Sequence, residues 1–109
     1  MQALSVTMDP DGTLGVALRG ELDFTNAGEV TDAIRAVVER ERPAAVRMDL
    51  TEVTFLDSSG IGVLVAAMRA AEEARADYRV EHPNPKVHDQ LRTTGLLAPF
   101  GLAESAPEG

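Results

Sequence analysis

The spacing of apolar residues changes near the middle of the chain, and this change constrains the fold more than any other feature. Residues 46–50 alternate between apolar and polar side chains, as a half-buried strand does. Further along, apolar residues recur at the helical spacing i, i+3, i+4 and i+7, at Ile61, Leu64, Val65 and Met68. We therefore predict a strand over residues 44–50, a connection over 51–57 and a helix over 58–75, in an α/β fold.

The sequence Asp-Ser-Ser-Gly at residues 57–60 lies where this helix begins. The first backbone N–H groups of a helix have no partner within the helix, and they carry the positive end of its dipole, so an anion is favoured there. The fold should therefore tolerate a phosphate group on a serine at this position. Asp and Ser are also common N-cap residues, and helix capping alone is the alternative interpretation of this element.

The remaining segments predict alternating strands and helices. Residues 4–8 and 13–22 alternate as strands, and the Asp-Pro-Asp-Gly sequence between them is typical of a hairpin turn. A helix capped by Thr25 or Asn26 should follow, with Glu29 completing a capping box with Asn26, and Pro43 should end it.

The last third of the chain predicts a strand at Tyr78 and Val80, which either ends there or extends to His82. A helix should then start at Asn84 as N-cap, with Pro85 in its first turn and Gly95 just beyond its end. Residues 97–102 are predicted to add a short edge strand. The chain should therefore form one mixed β-sheet of four to five strands.

Length and charge limit the classes of function. A chain of 109 residues predicts one domain, over residues 1–103, with a flexible tail over 104–109. The net charge of -8 argues against binding to nucleic acid or to an anionic membrane. The chain has no cysteine, no secretory signal and no apolar run near the ~18 residues of a membrane span, so we expect a cytoplasmic protein.

Three segments together resemble one known family. Residues 48–62, which contain Asp-Ser-Ser-Gly, closely resemble the signature of the STAS-domain anti-sigma factor antagonists. Gly-Glu-Leu-Asp at residues 20–23 looks like the family's sequence at the end of its second strand, and residues 92–96 match its later helix ending in Thr-Gly-Leu. One departure is the sequence Ala-Arg-Ala-Asp at residues 74–77, where the family commonly has a glycine before the fourth strand.

The resemblance implies a STAS fold, with helices packed mainly on one side of the sheet. It implies that Ser58 is the phosphorylated residue and that the unphosphorylated protein binds an anti-sigma factor, which is itself a serine kinase, thereby freeing a sigma factor. A PP2C-type phosphatase would reverse the modification. The implied partner-binding residues are Glu21, Asp23, Asp57, Ser58, Ser59, Gly60 and Ile61.

Other functions receive less support from the sequence. A serine hydrolase would need Gly-x-Ser-x-Gly, which neither Ser58 nor Ser59 has, and we predict that both histidines, His82 and His88, are surface or loop residues. The glycines Gly60 and Gly62 do not complete a nucleotide-binding loop and should instead permit close helix packing. We predict no metal site, no cofactor and no enzymatic activity. The main alternative is a STAS module that does not switch, such as a scaffold or a small subunit of a transport or signalling complex.

Overall fold

The computed structural model describes residues 3–104, which form a mixed sheet and three helices. The strands are β1 (Leu4–Met8), β2 (Thr13–Leu22), β3 (Ala45–Leu56) and β4 (Asp77–Glu81), and the helices are α1 (Ala27–Glu41), α2 (Ser58–Glu73) and α3 (Pro85–Thr93). The strand order is β1-β2-β3-β4, with β1 antiparallel to β2 and the other neighbours parallel. This confirms the predicted fold class, with four strands among residues 3–104.

The helices pack on one face of the sheet and enclose a single apolar core. Inward-facing residues alternate along β2 at Leu14, Val16 and Leu18, and α1 and α2 place an apolar stripe against them. The stripe of α1 recurs every three or four residues, as expected for a helix with one buried face, at Val30, Ile34, Val37 and Val38. Among residues 3–104, no helix is long and apolar enough to cross a membrane.

Strand β3 is longer than predicted, because residues 51–56 continue the strand instead of forming a connection. Its pairing with β2 shifts twice, between Ala17 and Arg19 and between Gly20 and Glu21 of β2. At each shift β3 advances one residue more than β2, as at a β-bulge. Buried residues consequently recur every third position, at Leu50, Val53 and Leu56, and the strand loses the alternation by which it would be recognised.

The predicted edge strand at residues 97–102 is wrong. This segment forms turns, and its link to the sheet is a bond from the Val80 N–H to the Phe100 carbonyl. Pro99 has no N–H to donate, which disfavours a strand ladder here. The Phe100 ring is instead buried, with its centroid 5.8 Å from that of Tyr78. Of the predicted tail, all but Glu104 lies outside the described residues.

Two local predictions about side chains fail, and one holds. His88 is buried, not a surface residue, because the C-terminal segment covers α3 and its ring Nε2 donates a hydrogen bond to the Ala103 carbonyl at 2.7 Å. Asn26 stands at the N-cap of α1, but its side chain makes no capping bond, so the expected capping box with Glu29 is absent. β4 ends at Glu81, so His82 lies outside the strand and is exposed, as predicted for a surface residue.

Arg75 lies in the segment that lacks the glycine expected from the family resemblance. Its φ of 58° is in the left-handed region, which glycine adopts without steric cost. The turn between α2 and β4 therefore keeps a conformation suited to glycine although the residue is arginine.

Candidate functional site

Ser58 is the first residue of α2, at the edge of the sheet where β2 and β3 both end. β3 ends at Leu56, Asp57 is the N-cap and the helix follows at once. Ser58 is exposed, whereas Ser59 is partly buried. The more exposed of the two serines is thus the one that the family resemblance implies to be phosphorylated.

Asp57 joins two segments of the chain through its carboxylate. Oδ1 accepts a hydrogen bond from the Gly60 N–H at 3.0 Å, which caps α2. Oδ2 accepts a second bond from the Phe24 N–H at 3.2 Å, in the turn between β2 and α1. The structure therefore confirms that Asp57 caps α2, and it adds a link to a turn that is 33 residues away in the sequence.

Gly60 allows the start of α2 to lie directly against β2. A Cβ atom on Gly60 would lie 2.2 Å from the carbonyl oxygen of Leu22, far inside van der Waals contact. The prediction that glycine permits close helix packing is thus confirmed for Gly60. It is wrong for Gly62, which is exposed and whose added Cβ would meet no atom within 4 Å.

The turn between β2 and α1 is held by side chains that bond to its backbone. The Asn26 side chain donates to the Glu21 carbonyl at 2.8 Å and accepts from the Asp23 N–H at 3.0 Å. The Asp23 carboxylate accepts from the hydroxyl and the N–H of Thr25. These two bonds lower the pKa of Asp23 below its usual value, so Asp23 remains ionised at neutral pH.

Most of the predicted site residues come together at this edge of the sheet. Glu21 is exposed, and Asp23 and Asp57 are half-buried beside it, linked through the turn. Gly60 is buried at the start of α2, and Ile61 is half-buried. Phosphorylation of Ser58 and the partner-binding role of these residues remain predictions.

The edge of β3 beyond β4 is covered by side chains from α3 and from its N-cap residue. β4 pairs with β3 only as far as Asp49. Further along, the Asn84 side chain donates to the Val53 carbonyl at 3.2 Å, and Gln90 donates to the Leu56 carbonyl at 2.8 Å. Gln90 thus supports the residue directly before the N-cap of α2, a role that sequence analysis did not identify.

Phe24, which no sequence motif singles out, is 80% exposed in the turn that bonds to Asp57. A large apolar residue between turn-forming residues, outside the apolar stripes of β2 and α1, is the only sequence signal for it. Neither histidine ring bonds to a serine in the described part of the chain, since His82 bonds to Asp49 and His88 to Ala103. No group of three acidic, histidine or cysteine side chains within residues 3–104 could hold a metal ion.

Comparison with known proteins identifies the family. The sequence model for the STAS domain matches residues 6–108. The chain belongs to the STAS domain family. The anti-sigma F factor antagonist of Paenibacillus polymyxa is 31% identical over 86 residues, which are 79% of this chain and 74% of that protein. The resemblance to the anti-sigma factor antagonists that sequence analysis predicted is thereby confirmed.

Solved structures agree with this assignment. The crystal structure of an anti-sigma factor antagonist from Mycobacterium paratuberculosis has 32% sequence identity and a TM-score of 0.77, covering 94% of this chain and 85% of that chain. The Bacillus cell fate determinant SpoIIAA in its phosphorylated form has 23% identity and a TM-score of 0.70, covering 90% of this chain and 87% of that chain. At 23% identity, the second likeness concerns the fold alone.

Proposed function

We propose that this STAS domain is an anti-sigma factor antagonist that acts by partner switching. Its unphosphorylated form binds an anti-sigma factor that is also a serine kinase, and this frees a sigma factor. Phosphorylation of Ser58 blocks the binding, and a PP2C-type phosphatase restores it. The protein is then a substrate and a ligand rather than a catalyst, and the exchange takes place in the cytoplasm.

The observation that carries the proposal is the division of roles between Asp57 and Ser58. Asp57 caps α2, so the helix start does not need the Ser58 hydroxyl. Within residues 3–104, that exposed hydroxyl makes no hydrogen bond to the protein. Ser58 can therefore be modified without breaking a contact that holds the fold together.

The identity of the partner explains why phosphorylation would weaken binding. A partner that is also the kinase must bring the terminal phosphate of ATP to the Ser58 oxygen, so an anionic nucleotide faces Ser58 in the complex. Transfer forms the bond from the serine oxygen to phosphorus, releases ADP and frees the hydroxyl proton. Phosphoserine adds about -1.5 to -2 charges at pH 7, and these then face ADP.

The interface cost should exceed any gain within the protein. The helix N-terminus offsets the new charge by about 0.3 to 1 kcal/mol. An unpaired and partly desolvated anion in an interface costs about 3 to 5 kcal/mol, which corresponds to roughly a hundred- to several-thousand-fold weaker binding. Phosphorylation should therefore change affinity sharply and leave the fold nearly unchanged.

Purified anti-sigma factor serine kinases from the source organism, each tested singly with ATP, provide the direct test. We expect one of them to phosphorylate Ser58. The same kinase should bind Ser58→Ala with the affinity that it has for the unphosphorylated wild type. Ser59→Ala is the matched control and should still be phosphorylated. Thermal melting of Ser58→Ala should match the wild type. Modification at Ser59 alone would contradict the assignment. If every kinase failed to bind or modify the protein, a non-switching STAS module would be the better description.

A further inference from the structure

Phe24 is by far the most exposed large apolar side chain among residues 3–104. It is 80% exposed, compared with 39% for Phe55, 40% for Met8 and 43% for Val6. A ring this exposed contributes little to the core. Scattered apolar residues are common on protein surfaces, so the exposure of Phe24 carries meaning only together with its surroundings.

The turn presents the Phe24 ring on a fixed backbone. The Phe24 N–H donates to Asp57, and the side chains of Asp23 and Asn26 bond to the backbone on either side of it. Asn26 also holds the end of β2 through the Glu21 carbonyl. With the backbone already ordered, only the two side-chain torsions of Phe24 have to be fixed on binding, and aromatic residues are among the commonest hot spots of protein interfaces.

Charge indicates what kind of surface fits around this ring. The exposed Glu21, the ionised Asp23 and Asp57 surround the turn, in a chain with a net charge of -8. A partner must therefore offer an apolar pocket for the ring and positive side chains for the acidic rim. Two copies of this chain would bring these acidic groups against each other, which disfavours self-association through Phe24.

We propose that the Phe24 ring is the anchor by which this protein docks on its anti-sigma factor kinase, in an apolar pocket with arginine or lysine side chains opposite Glu21 and Asp23. The inference rests on the proposed function and adds the contact chemistry of the partner. Because Asp57 bonds to the turn and precedes Ser58, the anchor also fixes where Ser58 meets the kinase.

Binding of the kinase identified by the phosphorylation experiment should be measured on the Ser58→Ala background, where no modification occurs. We expect Phe24→Ala to weaken binding by about 30-fold or more, the range of an interface hot spot, and Phe24→Leu to fall between it and the parent. Met8→Ala is the matched control, because Met8 is also exposed but pairs with Leu14 near the opposite end of β2. It should change binding by less than about threefold, as most truncations outside a hot spot do.

The outcomes separate this inference from the proposed function. If the parent binds the kinase and Phe24→Ala binds within about threefold of it while melting normally, Phe24 is no hot spot, and only the anchor is overturned. If Phe24→Ala instead converts a dimer to a monomer in sedimentation, the ring packs against a second copy and the inference is wrong. If the parent binds no kinase, both proposals fail. Loss of binding in Phe24→Ala and Phe24→Leu, with unchanged melting and an unaffected Met8→Ala, supports the anchor.

Discussion

Replacing Gly60 by alanine tests the geometry on which the switch region depends. The added Cβ would lie 2.2 Å from the Leu22 carbonyl oxygen and 3.0 Å from the Leu22 Cβ. The obstacle is the backbone of an inner strand, which cannot rotate away as a side chain could, so the start of α2 must move outward. Overpacking costs about 1 to 3 kcal/mol, and this case belongs near the upper end.

The gain in helix propensity offsets only part of this cost. Alanine is favoured over glycine within a helix by up to about 1 kcal/mol. We therefore expect Gly60→Ala to lower the free energy of unfolding by about 2 kcal/mol, which is roughly 8 to 16 °C in melting temperature for a domain of this size.

Gly62→Ala is the matched control, two residues further along the same helix. Its Cβ would meet no atom within 4 Å, so the substitution should stabilise the protein by about 0.4 to 1 kcal/mol. Urea denaturation of the two variants beside the wild type measures both effects. If Gly60→Ala proved as stable as Gly62→Ala, the close approach of α2 to β2 would be refuted.

Three further substitutions test other parts of the structure by urea denaturation. Asp57→Ala should cost about 1 to 2 kcal/mol, because it removes the cap of α2. Asp57→Asn keeps an oxygen for the cap and loses only the exposed bond from the Phe24 N–H, so it should cost less than Asp57→Ala. Equal losses would exclude capping as the main cause. Arg75→Gly should stabilise by about 1 kcal/mol by relieving the left-handed φ of 58°, and an unchanged midpoint would show that this residue carries no strain. Burial of Asp49 opposes its ionisation, but bonds from Thr51 and His82 outweigh it and lower the pKa, so ionised Asp49 stabilises the fold above about pH 4. The free energy of unfolding of Asp49→Asn should therefore be lower than that of the wild type at pH 7. The two values should converge as the pH falls through the lowered pKa of Asp49, and a difference that stays constant with pH would contradict this.

The sequence predicts those elements whose signals are local. The hairpin of β1 and β2 follows from alternation and a turn sequence, and α3 follows from its N-cap Asn84, which accepts from the Val87 N–H at 2.8 Å, and from Gly95 at its end. The second half of β3 is missed because bulges break its alternation, and these depend on its pairing with β2. His88 is misjudged because the segment that covers it is 15 residues away.

In the candidate site, too, residues with local sequence signals are predicted and long-range contacts are not. Asp57 and Ser58 are identified because they stand at a strand-to-helix junction and match a family signature. The bond from the Phe24 N–H to Asp57 and the support of Leu56 by Gln90 join residues 33 and 34 positions apart. Contacts at such separations depend on the arrangement of the sheet, so no pattern along the chain could reveal them.

The position of Ser58, one residue beyond the cap, decides how large a change the switch can make. If Ser58 itself capped α2, phosphorylation would replace a capping hydroxyl, and about 1 kcal/mol of helix stability would depend on the modification. Here Asp57 holds both Gly60 and Phe24, so the cap and the turn keep their bonds in either state. The added charge then affects binding to the partner much more than folding, because desolvation in an interface raises its free-energy cost to several kcal/mol. Structures of the two forms should accordingly nearly superimpose, and lost amide protection in α2 after phosphorylation would instead indicate a switch by local unfolding.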